Sequence, residues 1–267
     1  MKIAFSTLGC PKWTWQRIVT EAQRMGYNGV ELRFVADQRN LLDTPELQKA
    51  VLPTTKQQLK DAGVAICCVD TSVLLVNRDD AMIEAGKRHV DLAAELGAPF
   101  VRVFGGAFPK EITQDVALRT AADNFRALAE YASGKKVRVL VETHDDFSSS
   151  ESVAQLLKRT NHPNTGILWD IHHPYRLHGE TPAQAFATLG QHVHHVHIKD
   201  SKDLGGGKHR YVKLGEGDVP IAQCLNLLKT AGYDSWIALE WEKTWHPEIE
   251  EPEAVFPHFI EKITKVM

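Results

Sequence analysis

The stretch GILWDIHHPYR, Gly166–Arg176, contains the pattern from which the fold can be predicted. A run of apolar residues that is typical of a buried strand ends at Asp170, and His172 and His173 follow directly. Acids and histidines at a strand end are often only a solvated loop or a hydrogen-bonded pair. This stretch alone therefore indicates no function, and the comparable stretches elsewhere in the chain have to be considered with it.

Seven other apolar runs follow the same plan, and helix-like segments separate them. They read KIAFS, GVELR, AICCVD, FVRVF, RVLVET, HVHHVHIKD and WIALEWE, and the eight runs begin near residues 2, 29, 65, 100, 138, 165, 192 and 236. This spacing leaves room for a strand, a crossover helix and two loops in each unit. Strict alternation over eight units predicts a single-domain (β/α)8 TIM barrel over residues 1–267, with a doubly wound open sheet as the alternative.

The composition argues against several classes of protein. A net charge of −3 gives no positive field that would attract nucleic acid or an anionic membrane. No apolar run reaches the roughly 18 to 20 residues of a membrane-spanning helix, and the first residues become polar too soon for a signal peptide. The four cysteines show no CxxC spacing and indicate free thiols. We therefore expect a cytoplasmic protein without a membrane or nucleic-acid partner.

Four chemically active side chains stand at the ends of the last four barrel strands, where a TIM barrel carries its active site. They are Glu142, Asp170, His197 and Glu240. Their separations of 28, 27 and 43 positions correspond to one βα unit each, with a long loop inside the last interval. We expect them at the same height on adjacent strands, with their side chains pointing into the barrel.

Three carboxylates and an imidazole at one barrel mouth would repel one another and resist desolvation unless positive charge lay among them. One divalent cation provides that charge, and the mixed donor set suits Mn, Mg, Co or Zn. The alternative needs no metal and pairs the carboxylates with cationic side chains, namely Lys199, Lys243 or Arg102.

The motifs GYNGVELR, VETHDDF, GILWDIHH, HVHIKDSK, LGEGDVP and ALEWEK together resemble the xylose isomerase-like TIM-barrel superfamily, in particular its sugar phosphate isomerase/epimerase group. The resemblance covers essentially the whole chain. It implies a metal held by Glu142, Asp170, His197 and Glu240, and it implies that His173, three residues after the aspartate, contacts a substrate oxygen. His172 is expected to be a packed or exposed neighbour.

Two further residues are candidates for substrate binding. His144 lies two positions beyond Glu142, on the same face if the strand continues, although a loop histidine is an alternative. Lys199 shares the inward parity of His197, whereas Asp200 is expected to point away or to cap the turn. The expected partner is a small, sugar-like molecule.

A cation beside two adjacent oxygens of a hydroxy-ketone makes the C–H between them more acidic, because charge develops on those oxygens. Glu142 and Glu240 would then act as base and acid on the two faces of a flat enediolate. This chemistry predicts a metal-dependent isomerase or epimerase of a small sugar, polyol or sugar derivative.

Three alternatives deserve comparison with that prediction. The same site could expel a β-hydroxyl, which would make the protein a dehydratase of the inosose or dehydroshikimate type. A barrel that only binds a sugar-like ligand is the non-enzymatic alternative. An apurinic endonuclease of the same superfamily is disfavoured, because the strand ends CCVDTS and VRVFGGAF lack the extra histidines of its three-zinc cluster. Asp203 also stands where similar ketose epimerases place an arginine.

The connection after the seventh strand, Ser201–Pro220, departs from the βα rhythm. Its glycines predict a flexible loop that is long enough to close over a ligand, or else a surface excursion. The sequence of one chain does not determine the oligomeric state, and it is compatible with a homo-oligomer.

Overall fold

A computed structural model describes residues 1–267, and it contains a closed barrel of eight parallel strands. The barrel strands are β1 (Lys2–Ser6), β2 (Gly29–Leu32), β3 (Ala65–Leu74), β4 (Phe100–Phe104), β5 (Arg138–Glu142), β6 (Thr165–Asp170), β7 (Val193–Ile198) and β10 (Trp236–Leu239). Their order around the barrel is β1-β10-β7-β6-β5-β4-β3-β2. The predicted TIM barrel is therefore confirmed, and the open sheet is excluded.

Nine helices connect and follow the strands. They are α1 (Trp15–Met25), α2 (Leu52–Ala62), α3 (Asp80–Leu96), α4 (Gln114–Ala132), α5 (Ser150–Thr160), α6 (His172–His178), α7 (Pro182–Leu189), α8 (Ile221–Thr230) and α9 (Pro252–Val266). Helices α1, α2 and α3 each end at a left-handed glycine, Gly26, Gly63 and Gly97, whose N–H groups bond to the last carbonyls. None of the helices combines the length and the apolar character needed to cross a membrane.

The strand register refines the expected alignment of the site residues. Glu142 on β5 pairs with Leu168 on β6, so Asp170 lies two residues further along its strand. An offset of two residues keeps both side chains on the same face, and strands that tilt in a closed barrel are staggered in this way. Glu142 and Asp170 therefore share one face of the sheet, although they do not share one level of the ladder.

The connection after β7 is more ordered than the predicted flexible loop. It begins with an antiparallel hairpin, β8 (Asp200–Gly205) and β9 (Lys208–Val212), with left-handed glycines at the turn. The buried Asp200 carboxylate accepts hydrogen bonds from the backbone N–H groups of Ser201, Gly215, Gly217 and Val219. Asp200 thus fastens the returning chain to the hairpin stem, as its predicted capping role requires.

By its internal contacts the chain divides into two compact parts, residues 68–195 and residues 1–67 with 196–267. In the first of these, the His194 ring covers Gly166, where an added Cβ would lie 2.3 Å from the ring. Burial, with smaller contributions from Arg138 and His192, lowers the pKa of His194 from 6.5 to about 4. The folded protein therefore keeps this imidazole neutral where an unfolded chain would protonate it.

We expect the free energy of unfolding to decrease as the pH falls from about 6.5 to about 4, because only the unfolded chain binds a proton at His194 in that interval. His194→Gln should weaken this pH dependence. Urea unfolding of both proteins at several pH values from 7 to 4 tests the expectation, and identical pH profiles for the two would contradict it.

Candidate metal centre

In residues 68–195, Glu142 is paired with Arg102. The Arg102 Nε atom lies 3.2 Å from Glu142 Oε2, and its Nη2 atom lies 3.1 Å from Asp70 Oδ2. All three side chains are buried, and Arg102 Nη1 donates a hydrogen bond to the Thr71 carbonyl at 3.0 Å. Because a guanidinium stays charged in proteins, one oxygen of Glu142 has a permanent cationic partner. One of the cationic pairings that the sequence offered as the alternative to a metal, Arg102 with Glu142, is thus present.

Asp170 is held in place by backbone groups where β6 passes into α6. Its Oδ1 atom accepts hydrogen bonds from the N–H groups of His172 and His173, at 2.7 and 3.2 Å. The Thr143 hydroxyl accepts from the Asp170 N–H at 2.9 Å and donates to the Asp170 carbonyl at 3.0 Å. The fold itself therefore fixes the position of this carboxylate.

The two predicted substrate-binding histidines of this part lie together near Asp170. The rings of His144 and His173 meet edge-on with centroids 4.7 Å apart, and Phe104 lies 4.6 Å from the His144 ring. His173 Nε2 is 3.8 Å from Asp170 Oδ2. His172 is fully buried, in agreement with the expectation of a packed neighbour. His144 and His173 keep partial exposure, which a substrate contact requires.

In the other part of the chain, His197 lies between two carboxylates. Its Nε2 atom is 2.9 Å from both oxygens of Glu31, and its Nδ1 atom is 3.3 Å from Glu240 Oε1. Glu31 and His197 are fully buried, and Glu240 is nearly so. An imidazole in this position links a residue of β2 to the residue that follows β10.

Lys199 is buried and donates from Nζ to Glu240 Oε2 at 2.5 Å and to Glu242 Oε1 at 2.8 Å. Burial is the largest influence on Glu240 and raises its pKa, but Lys199 and His197 more than offset it and hold the pKa well below its ordinary value. Glu240 is therefore a carboxylate at neutral pH. Lys243, the third predicted cationic partner, contacts Glu251 and backbone carbonyls instead.

Each part of the chain contains a buried cation that bridges two buried carboxylates. Arg102 contacts Asp70 and Glu142, and Lys199 contacts Glu240 and Glu242. A buried carboxylate is costly unless a proton or a cation balances its charge.

The predicted metal ligands supply donor atoms that suit a divalent cation. Glu142 and Asp170 are buried in residues 68–195, and His197 and Glu240 are buried in the other part of the chain. Three carboxylate oxygens and one imidazole nitrogen make a donor set that Mn, Mg, Co and Zn accept. These four residues would hold the ion, and its charge would stabilise the buried carboxylates.

Three buried carboxylates that contact the predicted residues, Glu31, Asp70 and Glu242, were not among the residues predicted above. The Glu31 carboxylate contacts His197. The sequence could have indicated Glu31, because in GVELR an acidic residue stands near the end of β2, as acidic residues do at the ends of other barrel strands. Glu242 could have been predicted from its position two residues after Glu240, because residues two apart in an extended segment point to the same side.

Comparison with known proteins identifies the family to which the chain belongs. The sequence profile described as "Xylose isomerase-like TIM barrel" matches residues 19–263. A putative hydroxypyruvate isomerase of Streptomyces coelicolor is 23% identical over 246 residues, which cover 83% of this chain and 83% of that protein. The match to an uncharacterized protein of Methanocaldococcus jannaschii, 26% identical, spans 59% of this chain and 56% of that relative's length.

Two solved structures share the fold over nearly the whole chain. The probable 3-DHS dehydratase AsbF of Bacillus anthracis superposes with a TM-score of 0.82 at 20% identity, and 99% of each chain is covered. The IOLI protein with a bound zinc atom also gives a TM-score of 0.82, at 18% identity, with 100% of this chain and 98% of that chain covered. At these identities the superpositions demonstrate the architecture.

Neutralising any one predicted ligand should weaken binding of a divalent ion. We expect wild-type protein to bind about one ion per chain, and Glu142→Gln, Asp170→Asn, His197→Ala and Glu240→Gln each to lose it on gel filtration. Plasma mass spectrometry of the purified proteins gives the metal content.

The control is Asp115→Asn, which removes an exposed carboxylate that pairs with Arg119 and Arg159. This variant should retain the metal content of the wild type. Equal metal content in all four ligand variants and the wild type would contradict the assignment of the centre.

Proposed function

Because this chain belongs to the xylose isomerase-like TIM barrel family, we propose that it is a divalent-metal-dependent isomerase or epimerase of a small sugar, polyol or sugar derivative. The observation that carries the proposal is the buried Glu240, whose pKa is held well below its ordinary value and whose Oε1 atom lies 3.3 Å from His197 Nδ1. The name of the S. coelicolor relative, a putative hydroxypyruvate isomerase, supports the reaction class.

A divalent ion, if held by Glu142, Asp170, His197 and Glu240, would supply positive charge that makes a C–H bond beside a substrate carbonyl more acidic. A carboxylate base has to be ionised to accept that proton, and the depressed pKa of Glu240 keeps it so. Glu142, beside Arg102, is the second candidate for proton transfer. In the proposed mechanism one glutamate removes the proton from one face of the substrate, and the other returns it to the opposite face.

The proposed substrate contacts are His173, His144 and Lys199. The two histidines present polar ring edges near Asp170 and can hydrogen-bond hydroxyl groups of a sugar. Lys199 carries its charge next to Glu240, so a substrate oxygen at this position would meet both a donor and the proton-transfer residue. Together these contacts would orient the reacting carbon toward the glutamates.

A dehydratase is the second candidate, and the similarity to AsbF of B. anthracis is the observation that favours it. Proton removal beside a carbonyl is common to both reactions. A lyase then expels a hydroxyl from the neighbouring carbon, and the hydroxyl needs a proton as it leaves. His173 and Lys199 are the donors available near the proposed substrate position.

The experiment that tests the function is incubation of the metal-loaded protein in D2O with ketoses, inososes and keto-acids, followed by proton NMR. Either activity should remove the hydrogen beside the carbonyl, and an isomerase or epimerase should replace it with deuterium. A new stereoisomer or aldose indicates an isomerase or epimerase, whereas an unsaturated product indicates a dehydratase.

Glu240→Gln and Glu142→Gln should each slow the exchange by about 10²-fold or more, the usual contribution of a general acid or base. Asp115→Asn serves again as the matched control and should exchange at the wild-type rate. Absence of exchange with every substrate class, in protein that binds its metal, would favour a barrel that only binds a sugar-like ligand. A fully active Glu240→Gln variant would contradict the two-glutamate mechanism.

A further inference from the structure

The contact between Glu31 and His197 has no role in the ligand set or in the proton transfer proposed above. Glu31 is the third residue of β2, where it pairs in register with Ser6 of β1. His197 lies on β7, which is separated from β2 by β1 and β10 in the barrel order. Glu31 therefore reaches across the barrel interior to this imidazole. Both side chains are fully buried, so water does not compete for the contact.

The geometry determines which ring nitrogen of His197 carries hydrogen. Both Glu31 oxygens lie 2.9 Å from Nε2, and a carboxylate can only accept a hydrogen bond. Nε2 is therefore the N–H donor, and in a neutral ring Nδ1 is the atom with the lone pair. Nδ1 faces Glu240 Oε1 at 3.3 Å. Two electron-pair donors at this separation need a proton or a cation between them.

We propose that Glu31 is a positioning residue that holds His197 in its Nε2–H tautomer and so presents Nδ1 to the divalent ion. This inference rests on the proposed metal-dependent function. A carboxylate that orients a metal-bound histidine in this way fixes the ring and makes it a stronger ligand. Loss of such a partner from outside the ligand set typically lowers metal affinity by about 10- to 100-fold.

Two variants distinguish the positioning of His197 by Glu31 from the general effect of removing one buried negative charge. Glu31→Gln removes one negative charge and allows the amide to donate to Nε2, which would move the ring hydrogen to Nδ1 and block ligation. Glu242→Gln removes the same charge from a buried carboxylate that contacts Lys199. We expect Glu31→Gln to weaken Mn²⁺ binding by about 10- to 100-fold in titration calorimetry and Glu242→Gln to have a smaller effect.

The ring hydrogen can be observed directly in the metal-free protein. Long-range ¹H–¹⁵N NMR of histidine side chains distinguishes the two tautomers, and His197→Ala assigns the signal. We expect a hydrogen on Nε2 in the wild type and in Glu242→Gln, and loss of that hydrogen in Glu31→Gln. This readout requires no active enzyme, and the wild-type spectrum remains informative even if Glu31→Gln fails to fold.

Three results would overturn the inference, and each is distinguishable from failure of the proposed function. An Nδ1–H tautomer in the wild type would do so. Equal Mn²⁺ affinity in Glu31→Gln and the wild type would also do so. Two ions bound per wild-type chain, one of them lost in Glu31→Gln, would make Glu31 a ligand instead. Wild-type protein that binds no divalent ion would instead reject the metal-dependent function itself.

Discussion

The need to balance buried negative charge at the carboxyl ends of the strands governs the rest of this structure. Acidic side chains are rarely buried without partners, because water solvates a carboxylate far better than a protein interior does. Here Arg102 contacts Asp70 and Glu142, and Lys199 contacts Glu240 and Glu242, and all of these side chains are buried. The proposed divalent ion would add positive charge beside the same carboxylates.

The way in which Glu240 divides its contacts shows how one residue can serve both stability and chemistry. Its Oε2 atom is paired with Lys199, and its Oε1 atom is directed toward His197 Nδ1. The pairing keeps the group ionised despite its burial, and an ionised carboxylate is what both metal ligation and proton abstraction require. Glu142 has the corresponding pairing with Arg102. The proposed metal ion would therefore add to these protein cations and would not replace them.

The sequence was sufficient to predict the barrel, because each buried strand and each Gly-terminated helix recurs with a regular period. It also predicts that Glu142, Asp170, His197 and Glu240 stand at the carboxyl ends of their strands, since each follows or ends a periodic apolar run. The partner of Glu31 was not predictable in the same way. Its contact with His197 depends on side chains that meet across the barrel interior, and such pairs leave no periodic signal along the chain.

The hairpin after β7 shows a second limit of sequence reasoning. Three consecutive glycines favoured a flexible loop, but they form the turn of an antiparallel pair that Asp200 fastens by four backbone hydrogen bonds. The deciding feature is one buried carboxylate far from the turn. Its effect depends on distances that only the folded chain defines.

The most direct test of the account is a crystal structure of the protein grown with Mn²⁺, with anomalous data collected near the manganese edge. The account predicts one strong anomalous peak, coordinated by oxygens of Glu142, Asp170 and Glu240 and by Nδ1 of His197. No peak at this position, or coordination through Nε2 of His197, would contradict it.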